Sequence, residues 1–273
     1  GDSHYPVTIT TYNYEHEPVE MTFEKAPEKV FAYANSNVEE LLALGLGDKI
    51  VAACGLDGDV REDLKDEFDK IQYMDTKPSK EEVVAMEPDF IAAWYSSFSD
   101  DWLSDVSFWQ ERNVNTYMSL NSAAKGPASE FPRTIEDEYE DILNLGKIFD
   151  CEDKAEEIVD QMKGEIDKVK EHVEGTDPLS VAVLEDEGDS FRVYGTETLG
   201  GNIPETLGAE LKLGAENSEN VGAEDLIAAD PDVLFMINYD GFMTADEAIA
   251  DITDNPAYAS LSAVKNNKVF SVN

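Results

Sequence analysis

Apolar and polar positions along the chain follow two periods in turn. Val7–Tyr12 and Val19–Phe23 alternate with period two around a polar turn and predict a β-hairpin. From Lys29 onward, short unbroken apolar runs take over: Lys29–Tyr33, Ile50–Cys54, Phe90–Trp94 and Asn115–Met118. Helical patterns separate them. Asn35–Asn37 offers an N-cap for a helix that stops at Gly45, Ser79–Met86 is a second helix, and Asp100–Arg112 reads as a third. Continuous apolar strands alternating with helices predict parallel βα units with both sheet faces covered.

Two consecutive helices break this rhythm. Thr134–Asp137 has the form of a capping box and opens a helix carrying Ile135, Tyr139, Ile142, Leu143 and Ile148. From Asp150 a second helix spaces Ala155, Ile158, Met162, Ile166, Val169 and Val173 by three and four residues, one narrow apolar stripe on a charged rod. Roughly 22 residues at 1.5 Å each span about 33 Å. Beyond Gly175–Pro178 the βα pattern resumes with strands Ser180–Leu184 and Phe191–Tyr194 and helix Gly200–Leu207. Helix Ala223–Ala229, strand Val233–Ile237, a short helix near Leu261 and strand Lys268–Val272 complete it. The expected organisation is a leader with a hairpin (1–25), a first lobe (26–149), a linking helix (150–175) and a second lobe (176–273).

An internal repeat supports two related lobes. Glu81–Ile91 (EEVVAMEPDFI) matches Glu224–Leu234 (EDLIAADPDVL) in its glutamate, alanine, proline and aspartate. Each copy is a helix, a proline stop and a buried strand, and one lies on each side of the long helix.

Charge narrows the function. Sixty acidic residues against 20 basic ones leave a net charge of −40, which excludes non-specific nucleic-acid binding and disfavours docking to anionic lipid. No run of 18 apolar residues is present, so no spanning helix is expected. The chain opens at Gly1-Asp2-Ser3 like a mature or trimmed product. Cys54 and Cys151 are far apart and form no CxxC signature; two isolated thiols are expected, with pairing the alternative. His4 and His16 fall in the leader and His172 on a charged helix, so no three-histidine zinc site and no resident metal or cofactor are expected.

Enzyme signatures are missing. Gly45–Lys49 lacks the spacing and hydroxyl of a phosphate-binding loop, and no G-x-S-x-G occurs. Asp57–Asp59 and Glu185–Asp189 do not follow the calcium-loop ligand pattern and read as solvated loops. An acid-pair hydrolase is the rival reading, and it requires one carboxylate with a raised pKa. In α/β lobes ligands gather beyond the carboxyl ends of the strands. Those ends offer Tyr33, Asn35, Trp94, Tyr95 and Ser119, then Tyr194, Thr196, Asn238 and Tyr239, with Arg192 as the guanidinium most suited to face a ligand. Rings with amides and hydroxyls suit a large, partly apolar chelate. Trp102 and Trp109 sit at helical spacing and are expected in the core.

From Pro27 onward the chain resembles the substrate-binding proteins of iron-complex and vitamin B12 ABC importers. The resemblance rests on Pro27–Val30 with Asn37–Gly45, on the two repeat copies, on the helix pair within 134–173, and on Val193–Gly195 with Gly200-Gly201. It implies two Rossmann-like α/β lobes joined by one long rigid helix, a monomer outside the cytoplasm, periplasmic or lipid-anchored, and an ABC permease dimer as partner. A ferric siderophore is the implied ligand, with cobalamin or haem as alternatives; the low arginine content favours a neutral hydroxamate-type chelate. The family's exposed docking acids map onto Glu81 and Glu224, or one position later onto Glu82 and Asp225. Two departures are that no lipobox cysteine is present and that a final helix usual in the family is missing after the last strand.

Overall fold

The structure, a computed structural model, describes residues 4–238 and 243–272. The chain divides into two compact units. One holds the chain up to Pro127 together with Glu136–Gln161, the other Ala128–Ile135 and Met162 onward.

The first unit begins with the hairpin β1 (Val7–Tyr12) and β2 (Pro18–Phe23), paired antiparallel from Val7↔Phe23 to Tyr12↔Pro18. Its sheet is built from β3 (Val30–Tyr33), β4 (Ile50–Cys54), β5 (Tyr73–Met74), β6 (Phe90–Ala93) and β7 (Asn115–Met118). All are parallel, in the order β5-β4-β3-β6-β7. The helices are α1 (Asn35–Ala43), α2 (Lys65–Phe68), α3 (Lys80–Ala85), α4 (Val106–Gln110) and α5 (Ile135–Ile148). Strands β3 and β6 are apolar throughout because they are central and buried, as Phe31, Phe90 and Ile91 are. The hairpin is tied to β7: the Met118 amide donates to Thr11 Oγ1 (3.0 Å) and Asn115 Nδ2 to the Thr22 carbonyl (2.9 Å).

Helix α6 (Glu152–Val173) is 22 residues long and passes from the first unit into the second. The second unit continues with β8 (Ser180–Asp186), β9 (Phe191–Val193), α7 (Leu199–Thr206), β10 (Glu210–Leu211) and β11 (Glu219–Val221). It ends with α8 (Ala223–Ala229), β12 (Val233–Ile237), α9 (Ala245–Thr253), α10 (Ser262–Lys265) and β13 (Val269–Val272). Its sheet runs β11-β9-β8-β12-β13, with β10 beside the start of β8. Strands β12, β13 and β10 are parallel to their neighbours, whereas β8–β9–β11 is antiparallel. Its core gathers Leu184, Phe191, Leu226, Leu234, Met236, Ile252 and Leu261.

Three expectations need correction. The helix over Asp100–Arg112 shrinks to α4, because Ser104 takes a left-handed φ of 64° and Asp105 caps a new start by accepting from the Ser107 amide. Trp102 and Trp109 are nevertheless buried, donating to the Pro78 and Leu103 carbonyls. The apolar stripe of α6 lies where expected but is shallower: Ala155 and Val159 are buried, Ile158, Met162, Ile166 and Val173 are half-buried, and Val169 is 42% exposed. Finally α2, α9, β5, β10 and β11 have no counterpart in the expected elements. The three strands have two or three residues each, too few for a period to register.

The repeat is structural. Each copy turns through a left-handed residue immediately before its proline, Glu87 (φ 50°) and Asp230 (φ 42°). Each Pro-Asp then anchors the adjacent central strand. Asp89 accepts from the Glu28 and Lys29 amides ahead of β3, and Asp232 accepts from the amide and hydroxyl of Ser180 at the start of β8.

Candidate ligand-binding site

In the first unit the chain leaves β3 towards β4 and later returns to β6 on the other side. This is a topological switch point, where α/β sheets bind ligands. The carboxyl ends of these two strands carry Tyr33–Asn35 and Trp94-Tyr95. Tyr33 meets Trp94 edge-on (ring centroids 5.9 Å apart, 86°) and Trp102 at 4.9 Å. Its ring lies where a side chain at residue 55 would be: a Cβ on Gly55 would stand 2.1 Å from Tyr33 Cε2, and φ there is +78°. Lys77 lays its ammonium 4.0 Å from the Trp102 centroid and 5.8 Å from that of Tyr33, a cation–π pair. Tyr95 stacks on Tyr14 (4.7 Å, 13°) and on His16 (4.6 Å, 12°), both from the turn between β1 and β2, and His16 Nδ1 lies 3.2 Å from the Ala124 carbonyl. The two rings expected in a leader thus form part of this strand-end surface.

The polar residues expected beside these rings are occupied. Asn35 closes a loop, accepting from the Asp57 amide (2.8 Å) and donating to the Gly58 carbonyl (3.2 Å). Ser119, 5% exposed, donates to Asn37 Oδ1, and Asn37 in turn donates to the Tyr33 carbonyl. Trp94 Nε1 donates to Ser36 Oγ at 3.3 Å. Burial, with Asp57, Cys54 and Tyr73 nearby, raises the Tyr33 pKa; burial and Tyr14 raise that of Tyr95. Both phenols therefore stay protonated near neutral pH and offer ring faces and hydroxyls rather than phenolate oxygens. Burial pushes the Cys54 thiol up to about 11 against the opposing charge of Lys77, and both cysteines are free.

In the second unit the β8–β9 hairpin presents Arg192 opposite Glu185, with the guanidinium 5.2 Å from the Tyr194 centroid and the Tyr194 hydroxyl donating to Glu185 Oε2 (2.8 Å). Thr196 donates to the Glu216 carbonyl. Asn238, 4% exposed at the end of β12, accepts from the Ser271 hydroxyl. Tyr239 lies outside the described residues. A Cβ on Gly201 would stand 2.0 Å from the Gly195 carbonyl oxygen, so α7 starts against bare backbone. Arg192 and Tyr194 are therefore brought together, Thr196 turns to the Glu216 carbonyl, and Asn238 is set into the sheet end.

Carboxylates of the kind an acid-pair hydrolase needs do occur, but not among these rings. Glu40, Glu138 and Asp141 converge within 4.8 Å of one another. Asp141 is 2% exposed and accepts from the Tyr117 hydroxyl (2.7 Å) and the Leu120 amide (3.2 Å). Burial, with Asp141 and Glu138 beside Glu40 and with Glu138 and Asp137 beside Asp141, holds both groups well above the usual carboxylate range. Sequence reasoning missed Tyr14, His16 and Lys77. Nothing in one sequence says which strand end a hairpin turn or a loop lysine will meet.

Two α/β units, each with rings at a strand end, have the organisation of a solute-binding protein. The chain belongs to the periplasmic binding protein family, whose sequence pattern matches residues 30–273. A periplasmic binding protein from Veillonella parvula shares 32% identity and superposes with a TM-score of 0.90, over 98% of this chain and 84% of that one. The Bacillus subtilis ABC transporter substrate-binding lipoprotein YvrC is 24% identical over 272 residues, 98% of this chain and 78% of its own. The Fe(3+)-citrate-binding protein YfmC of the same species is 25% identical over 199 residues, 71% of this chain and 56% of its own. Among the described residues no helix is long and apolar enough to cross a membrane.

Proposed function

We propose that this protein captures a ferric siderophore-type chelate outside the cytoplasm and hands it to the permease dimer of an ABC importer. The observation that carries the reading is the surface of protonated rings at the β3 and β6 ends, Tyr33, Trp94 and Tyr95, with no metal-ligating cluster among them. Such a surface holds an organic shell around iron and leaves the metal coordinated by its own chelator. Kinship with YvrC and YfmC supports importer delivery and an iron complex as cargo. The ammonium of Lys77 is the cation beside these rings, which suits a chelate that is neutral or carries little negative charge.

Delivery is assigned to Glu81 and Glu224. Each is the second residue of a helix whose N-cap amide is held by the next acid: Glu82 accepts from the Ser79 amide in a full capping box, and Asp225 from the Gly222 amide, glycine having no side chain to return the bond. Glu82 and Asp225 are thus committed to their own helices, and the exposed pair one position earlier remains for a pseudo-symmetric permease. The test is tryptophan fluorescence with ferric hydroxamate, ferric citrate, ferric catecholate, haem and cobalamin. A ferric complex should bind below about 10 μM, with Trp94→Phe removing most of the quench because the other two tryptophans are buried. Binding of cobalamin or haem alone would reassign the cargo, and no binding at all would sink the reading. Charge reversal at both Glu81 and Glu224 should abolish uptake at unchanged ligand affinity.

A further inference from the structure

Helix α5 ends with carbonyls that have no partner in their own helix, as every helix does. The residues just ahead of β1 supply them: His4 Nε2 lies 2.6 Å from the Lys147 carbonyl and the Tyr5 hydroxyl donates to that of Ile148 at 2.8 Å. A carbonyl only accepts, so Nε2 carries a proton, and in the neutral ring Nδ1 keeps its lone pair. That lone pair faces two carboxylates, Asp150 Oδ1 at 3.4 Å and Glu152 Oε2 at 3.8 Å, and the three atoms lie within 4.8 Å of one another. Only a shared cation, a proton on Nδ1 or a metal ion, lets these three atoms sit together.

We infer that His4, Asp150 and Glu152 form a binding site for a divalent transition metal of zinc type, separate from the ligand site. Ligand atoms around tetrahedral zinc, at bonds of about 2.0–2.1 Å, stand roughly 3.3 Å apart; the His4–Asp150 separation already matches and the Glu152 carboxylate has a few tenths of an ångström to close. One imidazole and two carboxylates are a borderline-hard donor set that suits zinc better than calcium, which takes six to eight oxygens. The imidazole is held by a carbonyl on its far nitrogen, the arrangement that orients metal-ligating histidines. The backbone between the carboxylates is fixed as well. Asp150 sits in the left-handed region (φ 54°), and the Cys151 carbonyl accepts from the Lys154 and Ala155 amides at the start of α6. His4 is partly buried, while Asp150 and Glu152 are exposed, so a metal could enter from solvent and water could fill a fourth position. Bound there, it would staple the segment entering β1 to the α5–α6 corner.

The test uses the full chain, stripped with a chelator and returned to physiological salt containing excess calcium, which occupies diffuse sites on so acidic a surface. Titration with zinc chloride alone should show one tight equivalent by calorimetry and a raised melting temperature, and cobalt(II) alone should give visible absorption bands of a nitrogen-ligated site. His4→Ala and Glu152→Gln should each weaken that equivalent by about tenfold or more and remove the melting shift and the bands. If His4→Ala proves poorly folded without metal, Glu152→Gln, which keeps the first turn of α6, decides alone. Absence of a stoichiometric equivalent, or one that survives both substitutions, overturns the site and assigns zinc binding to the acidic surface at large. Capture of the ferric chelate should be unaffected in either variant, so failure here is distinguishable from failure of the transport reading.

Discussion

The two units agree at one edge of their sheets and differ at the other. Where chain enters the central strands they are near copies: a left-handed residue, a proline, and an aspartate that binds the start of the neighbouring strand, Asp89 for β3 and Asp232 for β8. At the opposite, carboxyl edge the first unit presents stacked rings and a lysine, the second a hairpin with Arg192 beside Tyr194 and a bare backbone contact between Gly201 and Gly195. One edge does the same mechanical task twice and is held to one solution. The other carries the side chains that loops are free to vary, and each unit builds its own.

The largest effect should come from breaking the carboxyl edge where backbone meets backbone. Gly201→Ala places a methyl 2.0 Å from the Gly195 carbonyl oxygen, with no side chain to swing aside. It should destabilise by roughly 3 kcal/mol or more, read by calorimetry. Gly55→Ala meets the Tyr33 ring, which can rotate away, at a strained φ of +78°. A smaller loss of roughly 1–2 kcal/mol is expected, accompanied by weakened chelate binding because Tyr33 is displaced. If Gly55→Ala proves the more destabilising of the two, the contrast between a side-chain surface and a backbone surface is wrong.

Much of this was legible in the sequence. The repeat could be read as helix–proline–strand because apolar runs and Pro-Asp steps are local signals, and its strands β6 and β12 start where Phe90 and Val233 place them. Trp102 and Trp109 could be sent to the core from their spacing, although the segment holding them is mostly not helix. The strand-end positions of Tyr33, Trp94 and Tyr95 follow from the same reading. What could not be read was which polar groups remain unspent. Asn35, Ser119 and Asn238 have suitable chemistry, but their partners Asp57, Asn37 and Ser271 are set by tertiary packing. The helix-start bonds behave differently: they are local, and once Glu82 and Asp225 hold their N-cap amides they single out Glu81 and Glu224 from their neighbours.

The shared edge should respond equally in both units. Asp89→Ala and Asp232→Ala each strip an acceptor from two donors, and each should cost roughly 1–2 kcal/mol, reduced from the buried value because both carboxylates reach solvent. Matching losses, by denaturant titration, sharpen the comparison; a loss in one unit alone breaks it. For Asp232 the pH dependence is fixed in sign. The Ser180 amide and hydroxyl depress its pKa, so its contribution is present above the unfolded carboxylate value near 4 and is lost as pH falls through the lower folded value. The difference between wild type and Asp232→Ala should therefore shrink on acidification.

The smallest effect has the opposite sign and no counterpart found among the described residues of the second unit. Glu40 and Asp141 carry pKa values raised by burial and by neighbouring acids, so the folded chain keeps a proton that the unfolded chain releases above about pH 4. Their contribution favours folding at low pH and is lost as pH rises through the folded values. Asp141 cannot be neutralised cleanly, because it accepts from the Tyr117 hydroxyl and the Leu120 amide. Glu40 is the better probe. Glu40→Gln keeps the shape, removes one of three convergent acids, and should stabilise by on the order of 1 kcal/mol near pH 8. The gain should fade towards pH 5, where the wild-type cluster is protonated. Melting temperatures of both proteins across that range test this, because the repulsion common to the rest of this acidic surface cancels in the difference. A gain independent of pH would mean that Gln simply packs better, and a loss at high pH would mean that the three acids share a cation instead of a proton.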